Sequence, residues 1–505
     1  MDLGIQIHLA KKWLEMDLTN FVNILGAWSR ASGPLYRLLA QALRQAILEG
    51  DIPAGTRLPA ERMLAEALAV SRNTVIAAYD VLQQESLIIR QHGSGTWVQA
   101  LSQEQAANYR STANGSLARS PLFEMLLHEP QDLIDLSTGV PGALDGLSLQ
   151  AFTLQEDKLA ALLSTPGYAP SGLPELRQAI AGYFVQMGLP TRPEQILVTS
   201  GAQQALSLAA LLYVQRGDTV LIENPTFFGA LDTFRALGAR LIPLPMDGEG
   251  LRVDVLQRAL GTCLPRLLYL TPTFHNPTGT LLSRARRRAI ASLAREFAFP
   301  IIEDNAFADL CLTDEAPPPL ASFASEEAIL TLGSMNKLFW QGLRVGWIRA
   351  SEALITRLSR LKIIADLGTG SLTQAIALQL LDHLAEVKAL RQQQLRAQLQ
   401  MVTELLGAYL PDWTWHTPSG GFFLWVRLPV GDASEFAQIA LRFAVVITPG
   451  TVMSVDDLHH QYLRLPFLLP PETLSKGIQR LSQAWKVYSR LEPPFNEPAQ
   501  AEYTH

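Results

Sequence analysis

Two different hydrophobic patterns divide the chain. In residues 33–98, apolar side chains recur at helical spacing, and a Pro/Gly turn, two short helical stretches and a Gly-rich hairpin follow the first helix. The apolar face of that first helix consists of Leu35, Leu38, Leu39, Ala42 and Ile47. The pattern predicts a small, separately folded N-terminal domain.

In the second part of the chain, short apolar runs alternate with helical stretches. The predicted strands are 195–199, 219–223, 267–271, 300–303 and 329–332. Such alternation favours a mostly parallel α/β sheet with helices on both faces. From about residue 375 to 491, a long helix precedes β-like runs at 421–428, 445–448 and 461–466, which predicts a smaller α+β C-terminal lobe.

A polar segment separates the two patterns. Residues 101–121 are rich in Gln, Ala, Asn and Ser and have no sustained apolar period, which is typical of a flexible tether. At 505 residues the chain is also too long for one core. We therefore expect a multidomain protein, with a lead-in at 1–32, a small domain at 33–99, a linker at 100–125, a large domain at 126–490 and a tail at 491–505.

Composition narrows the cellular setting. The apolar fraction of 48% and the charged fraction of 17% indicate a globular protein, and no apolar run is long enough to cross a bilayer. The first twelve residues lack the apolar core of a signal peptide, and two cysteines, Cys263 and Cys311, imply no disulfide framework. We expect a cytoplasmic protein that uses neither a membrane nor a metal.

The net charge of −6 argues against a protein that coats nucleic acid, so any DNA contact must be a local patch. The arginine run at 284–288 follows a turn and opens a helix. We interpret it as a solvated helix face rather than a nucleic-acid site.

The small domain contains a helix-turn-helix pattern. Pro59 suits a first helical turn, and Ser71 can N-cap a second helix after the tight Ala69-Val70 connection. In this motif the first residues of the second helix reach base edges in the major groove. Those residues are Arg72, Asn73 and Thr74, whose side chains suit guanine, adenine, and phosphate or a thymine methyl. The glycines of residues 91–96 predict a hairpin tip, or wing, that lies close to DNA.

Over about 66 residues this domain resembles the GntR family of winged-helix regulators. The matching positions are Gly50-Asp51, Gly55, Leu58-Pro59, Glu61-Arg62, Ser71-Arg72, Val75 and His92-Gly93. The resemblance implies double-stranded operator DNA as a partner. The DNA contacts it implies are Arg62, Arg72, Asn73, Thr74, His92 and Gly93. The alternative is a helical appendage that serves only dimerisation.

The large domain carries a candidate Schiff-base lysine. Lys337 follows an apolar strand, with Ser334 three residues before it and Arg344 seven residues after it, so it can bond covalently beside a phosphate site. Residues 199–204 follow a strand and open a helix, and a helix N-terminus binds anions through its backbone N–H groups.

Three further residues complete a cofactor pattern. Asp304, at a strand end, can pair with a protonated pyridine nitrogen. Asn276 can donate to a phenolic ring oxygen, and Phe227 can stack on the ring. Each feature alone is weak, but their order along the chain makes coincidence an unattractive explanation.

This ordered set resembles the fold-type I aminotransferases over residues 126–490, and with the small domain in front it resembles the MocR subfamily of GntR regulators. The resemblance implies that pyridoxal 5'-phosphate is the cofactor and that Lys337 forms the Schiff base. It assigns the phosphate contacts to Ala202, Gln203, Ser334 and Arg344. It also implies that Arg464 binds a carboxylate and that Tyr168 is lent to the partner's phosphate site, which requires a homodimer.

Two departures from that family matter. Asn336 stands where a second phosphate-side serine is common, and Phe307 stands where many relatives place a tyrosine that bonds the ring oxygen. Efficient transamination is therefore not expected. The leading hypothesis is a transcription regulator that responds to pyridoxal phosphate or an amino compound. The alternatives are a working aminotransferase with a DNA-binding appendage and a DNA-binding scaffold with a vestigial site.

Overall fold

The computed structural model describes residues 18–26, 28, 34–91, 95–99, 133–139, 146–312, 316–324 and 328–491. Its N-terminal part is a winged helix-turn-helix domain, as predicted. Among the described residues its elements are α1 (Leu18–Leu25), α2 (Leu35–Glu49), β1 (Arg57–Leu58), α3 (Glu61–Ala67), α4 (Arg72–Gln84), β2 (Ile88–Gln91) and β3 (Gly95–Val98). The strands form an antiparallel sheet in the order β1-β3-β2.

The helix-turn-helix forms where the sequence predicts it. Ser71 has extended backbone geometry, and its Oγ accepts a hydrogen bond from the Thr74 amide at 3.2 Å, which caps α4. Ala69 turns the chain between α3 and α4 with a φ of +49°. The inward face of α4 is buried and consists of Val75, Ala78, Tyr79 and Leu82.

The lead-in contributes to this domain. Phe21, Val22 and Leu25 of α1 are buried in the same apolar core as the helix-turn-helix. No function was predicted for these residues from the sequence.

The second part of the chain contains two sheets. Its strands are β4 (Ile134–Leu136), β5 (Ile196–Thr199), β6 (Thr219–Asn224), β7 (Arg240–Asp247), β8 (Gly250–Leu251), β9 (Leu267–Leu270), β10 (Ile301–Asp304), β11 (Ile329–Ser334), β12 (Gly346–Arg349), β13 (Thr414–Trp415), β14 (Phe423–Arg427), β15 (Val445–Pro449) and β16 (Tyr462–Pro466). The helices are α5 (Glu156–Leu163), α6 (Pro174–Gln186), α7 (Ala202–Tyr213), α8 (Phe228–Ala236), α9 (Val253–Leu260), α10 (Arg284–Glu296), α11 (Glu352–Asp366), α12 (Ser371–Leu381), α13 (Leu384–Tyr409), α14 (Ala433–Arg442) and α15 (Pro471–Leu491).

The larger sheet is the platform for the candidate site. Within the described residues its order is β5-β12-β11-β10-β9-β6-β7-β8. Neighbours pair in parallel from β7 through β6, β9 and β10 to β11, whereas β12 and β8 run antiparallel to their neighbours. The predicted mostly parallel sheet is confirmed. Separate apolar clusters cover its two faces.

The smaller sheet has the order β13-β14-β16-β15-β4 among the described residues, with α14 and α15 packed beside it. We call this unit the small lobe. The three β-like runs predicted near the C-terminus correspond to β14, β15 and β16. Strand β4 pairs in parallel with β15 although it precedes the larger sheet in sequence. Three residues are too short for a periodic pattern, so the sequence did not predict β4.

The interpretation of residues 284–288 was wrong for one residue. Arg287 of α10 is fully buried, and its guanidinium donates to the carbonyl oxygens of Leu282 and Pro272. Burial lowers its pKa to about 10.

The helices of the described part of the chain include none with the length and apolar character that a membrane span requires.

Candidate functional site: a lysine at the edge of the large sheet

Lys337 lies just beyond the carboxyl end of β11, next to the end of β10. Its Nζ is 5.8 Å from the ring centroid of Phe307 and 6.0 Å from that of Phe422. The pKa of Lys337 is lowered to about 8, mainly by burial and also by the positive charges of Arg464 and Arg344, while the charge of Asp304 opposes the shift. A depressed pKa makes the amine neutral, and hence nucleophilic, closer to physiological pH.

Asp304 ends β10 and is held by two donors. The Tyr269 hydroxyl donates to Oδ2 at 2.8 Å, and the Ala306 amide donates to Oδ1 at 3.0 Å. Burial raises the pKa of the Asp304 carboxyl, while both hydrogen bonds and the charge of Lys337 oppose that rise. Tyr269 was not among the residues predicted from the sequence. Its signal is a single hydroxyl in the otherwise apolar strand β9.

A cradle suited to a phosphate lies where β5 meets α7. Gly201 has a φ of +97°, and a Cβ there would lie 2.8 Å from Nδ2 of Asn336 and 3.3 Å from Nη2 of Arg344. Only glycine fits this close approach. The first-turn amides of Ala202 and Gln203 open the helix here.

Arg344 and Asn336 line the other side of this cradle. Nη2 of Arg344 donates to the carbonyl oxygen of Ser200 at 2.8 Å. The amide of Asn336 donates to Oγ of Ser334, and its Oδ1 accepts from the Val345 amide at 3.0 Å. Asn336 therefore braces the loop that carries Lys337, which gives this departure from the family pattern a structural reason.

Asn276 and Arg464 meet across the gap between the large sheet and the small lobe. Nη1 of Arg464 donates to Oδ1 of Asn276 at 3.0 Å, and Nη2 donates to the carbonyl oxygen of Ser137. Arg464 lies 4.1 Å from the Phe423 ring centroid, and its Nε has no hydrogen-bond partner among the described residues. Burial lowers the pKa of Arg464 to about 9. A buried cation of this kind suits an incoming carboxylate.

The remaining predicted cofactor residues differ in position. Phe227 precedes α8 and lies beside the cradle, since a Cβ on Gly229 would touch both its ring and the Gln203 side chain. Phe307 is buried next to Lys337. Tyr168 lies at the surface of its own chain, with 71% of its area exposed.

A second buried pair lies below the site and was missed. Oε2 of Glu223 accepts the Thr271 amide at 2.6 Å and lies 3.5 Å from Nε2 of His275. Burial raises the pKa of Glu223 to about 8 and lowers that of His275 to about 3. Both shifts favour the neutral form of the side chain, as expected for a pair with almost no surface exposure. Only the strand-end position of Glu223 hints at this pair in the sequence.

The DNA-reading candidates lie on the open end of α4. Arg72 and Asn73 are exposed and Thr74 is half-buried. Nη2 of Arg72 is 3.3 Å from Oε2 of Glu61, and Arg62 pairs with Glu66 at 2.9 Å. His92 and Gly93, predicted for the wing, lie outside the described residues.

Comparison with known proteins agrees with this geometry in both parts of the chain. The family of aminotransferases of class I and II matches residues 131–481, and the gntR family of bacterial regulatory proteins matches residues 35–98. The probable rhizopine catabolism regulatory protein MocR of Rhizobium meliloti is 30% identical over 488 residues, which cover 90% of this chain and 94% of that protein. The chain belongs to the MocR-type regulators of the GntR family.

Two further similarities support this MocR-type assignment. An uncharacterised HTH-type transcriptional regulator of Bacillus subtilis, YisV, is 33% identical over 450 residues, or 84% of this chain and 90% of that one. The crystal structure of LysN, an α-aminoadipate aminotransferase from Thermus thermophilus complexed with N-(5'-phosphopyridoxyl)-L-leucine, is 29% identical with a TM-score of 0.67. That match covers 74% of this chain and 97% of LysN. The large domain of this MocR-type chain therefore has the pyridoxal-phosphate-dependent aminotransferase fold.

Proposed function

We propose that this MocR-type regulator binds pyridoxal phosphate at Lys337 and senses an amino compound there, and that the bound state changes how its winged helices contact DNA. The observation that carries the proposal is the grouping of Lys337, Asp304 and the Gly201 cradle in the same chain as a winged helix-turn-helix domain. We call that domain, from α1 to β3, the reader. The vestigial-site alternative has no support from this grouping, because the amine, carboxylate and anion site are all present.

The residues present fit the cofactor. The amides of Ala202 and Gln203, with Ser334 and Arg344, would hold the phosphate, and Phe227 would cover the ring. Asp304 would hold a proton on the pyridine nitrogen, and Asn276 would face the ring oxygen. When bound, pyridoxal phosphate supplies an electron sink for a substrate amine.

Arg464 indicates which chemical groups the effector carries. Its guanidinium is buried, has an unpartnered Nε and lies in the same gap as Asn276. A carboxylate is the ligand group that such a guanidinium recognises with two parallel hydrogen bonds. We therefore propose an effector that carries both an amine and a carboxylate.

A homodimer is part of the proposal. Large apolar side chains are exposed on two segments that lie next to each other. The Ser371 hydroxyl of one segment donates to the carbonyl oxygen of Gly167 in the other at 3.0 Å. The exposed side chains are Leu163, Tyr168, Ile364, Leu367 and Leu372. A surface of this kind favours a protein partner. A second copy would bury it and bring Tyr168 to the partner's cradle, and two readers would then face two half-sites.

We propose that six residues of the reader contact DNA. Arg72, Asn73 and Thr74 would contact base edges, and Arg62, His92 and Gly93 would contact the backbone or the adjacent groove. We therefore propose a cytoplasmic location, with DNA rather than a membrane as the partner.

The test is selection of genomic fragments by the purified full-length protein, with and without pyridoxal phosphate and a panel of amino acids. We expect enrichment of a two-half-site sequence whose affinity changes with cofactor or effector. Absence of any enriched sequence would overturn the regulator proposal.

The second candidate function is a working aminotransferase. The grouping of Lys337, Asp304 and the Gly201 cradle favours it, and Phe307 speaks against it because phenylalanine cannot bond the ring oxygen. Steady-state transamination assays distinguish the two functions. Robust multiple turnover with unchanged DNA binding would favour the enzyme.

A further inference from the structure

The reader touches the small lobe through one face of α14. Nε2 of Gln438 donates to the carbonyl oxygen of Gly26 at 3.0 Å, and Nη2 of Arg442 donates to that of Leu68 at 2.6 Å. The two donors are four residues apart, so they lie on the same face of the helix. The two acceptors, Gly26 and Leu68, are the residues immediately after α1 and α3.

Helix α1 packs both against the core of the reader and against α14 of the small lobe. Its apolar residues Phe21, Val22 and Leu25 belong to the core of the reader, and the helix also lies against α14. Ala69, in the turn of the helix-turn-helix, packs against the core of the large domain and small lobe. The contact between the reader and the small lobe therefore combines two hydrogen bonds with the apolar packing of α1 and Ala69.

The strand that follows the docking helix α14 in the chain pairs with the strand that carries Arg464. After α14 the chain turns at Phe443 and Ala444 and enters β15, in which Thr448 pairs with Arg464 of β16. The helix that contacts the reader thus belongs to the same lobe as the carboxylate-binding candidate. Asp304 ends a strand of the other sheet, and Lys337 follows the end of the neighbouring strand.

Docking leaves the reading residues open. Arg72 and Asn73 remain exposed while the carbonyl oxygen of Leu68, four residues before the start of α4, accepts the bond from Arg442. The contact therefore fixes the orientation of the reader without covering the end that would enter a groove.

We propose that α14, through Gln438 and Arg442, is the docking surface for the DNA reader, with α1 as the adaptor. The reader then moves with the small lobe when Arg464 engages an effector carboxylate. The docking stands on the contacts above, whereas the coupling to an effector rests on the proposed function.

Hydrogen exchange on the full-length protein, without cofactor or DNA, tests the docking. In the Gln438→Ala/Arg442→Ala variant we expect amides of residues 18–26 and 66–70 to exchange about tenfold faster, while those of α13 stay unchanged. Arg427→Ala is the matched control, since this exposed arginine of the same lobe bonds Gln461 and not the reader. Unchanged exchange in the double variant overturns the docking.

Operator titration with pyridoxal phosphate and amino acids tests the coupling. We expect the double variant to bind cofactor with the wild-type spectrum and to lose the effector-dependent change in operator affinity. If the double variant keeps that change, the coupling is wrong. If the wild-type protein shows no change either, the proposed function fails while the exchange result still decides the docking.

Discussion

Nη1 of Arg464 in the small lobe donates to Oδ1 of Asn276 in the large domain at 3.0 Å. This bond joins the residue expected to hold a carboxylate to the residue expected to face the cofactor ring. An effector carboxylate at Arg464 would meet a guanidinium already oriented by Asn276 and Ser137. An ion pair between this guanidinium and a carboxylate is stronger than its hydrogen bond to the uncharged amide of Asn276, so the effector can bias the relative position of the two domains.

Lys337→Ala is expected to leave a folded protein that lacks the visible absorption of covalently bound pyridoxal phosphate. Because the pKa of Lys337 is lowered to about 8, the neutral amine predominates above that pH. Capture of pyridoxal phosphate by the wild-type protein should therefore accelerate about tenfold per pH unit below about 8 and level off above it. Stopped-flow absorbance measures this.

Lys388→Ala is the control for the lysine variant. Lys388 is partly exposed and pairs with Asp309, which is not one of the residues proposed to bind the cofactor, so its removal should leave the absorption unchanged. An absorption band that survives in Lys337→Ala after borohydride reduction and dialysis contradicts the assignment.

Much of this architecture is predictable from periodicity. The five predicted strands of the large sheet are mainly apolar runs, and Ser71 with Val75, Ala78 and Tyr79 makes the capped, one-sided helix that the structure contains. Lys337 and Asp304 stand out because each is a polar residue at the end of such a run. Parallel strands bring those ends to one edge.

The unpredicted features depend on tertiary contacts. Strand β4 gains its identity from β15, more than three hundred residues later in the chain. Tyr269 and Arg287 look ordinary in sequence, and only their burial beside Asp304 and backbone carbonyls gives them a role. The docking of α1 on α14 likewise has no local pattern, because both faces of a short apolar helix look alike.

Arg72→Ala is expected to weaken specific operator binding by about 1–3 kcal/mol and to relax base preference, if the arginine reads a guanine edge. Glu61→Ala is the matched control, because it removes the 3.3 Å partner of Arg72 while keeping the guanidinium. The control should bind at least as tightly as wild type. Footprinting and fluorescence anisotropy measure both variants, and an unchanged operator preference in Arg72→Ala would refute the proposed register.

Ile364→Glu is expected to shift the protein toward monomer. The side chain is 84% exposed in the single chain, and a dimer interface over it would bury the new, unpaired charge at a cost of about 3 kcal/mol or more. Leu264→Glu is the control, because Leu264 is equally exposed but lies outside the proposed interface. Sedimentation velocity across a concentration series should show dissociation for Ile364→Glu alone. Identical profiles would place the interface elsewhere.

Tyr269→Phe is expected to narrow the pH range in which the protein retains its cofactor. The hydroxyl lowers the pKa of the Asp304 carboxyl, which burial raises, so its loss moves that pKa upward. Asp304 is anionic only above its pKa, so retention should fail at a higher pH during acidification. Tyr183→Phe removes a comparable bond to Asp309 and is the control. Equal acid limits for both variants, measured by absorbance after gel filtration, would contradict the role of Tyr269.

Phe307→Tyr is expected to raise the rate of transamination by about tenfold, the equivalent of one hydrogen bond of about 1.4 kcal/mol made in the transition state. Phe307 is buried, with its ring centroid 5.8 Å from Nζ of Lys337 and its ring packed against Phe422, so a hydroxyl added to it would lie close to the site. The wild-type protein should bind an amino compound and turn over slowly, because a regulator gains from a liganded state that persists.

Phe307→Leu separates the effect of the hydroxyl from that of the ring, and we expect it to retain cofactor without any gain in rate. Single-turnover absorbance with a panel of amino acids and keto acids measures the chemistry, and operator affinity is followed in the same samples. The tyrosine variant should lose part of the ligand response, since faster turnover shortens the life of the liganded state. Fast multiple turnover by the wild-type protein, with operator binding that ignores the same ligands, would show that Phe307 does not restrain the chemistry and would favour the aminotransferase.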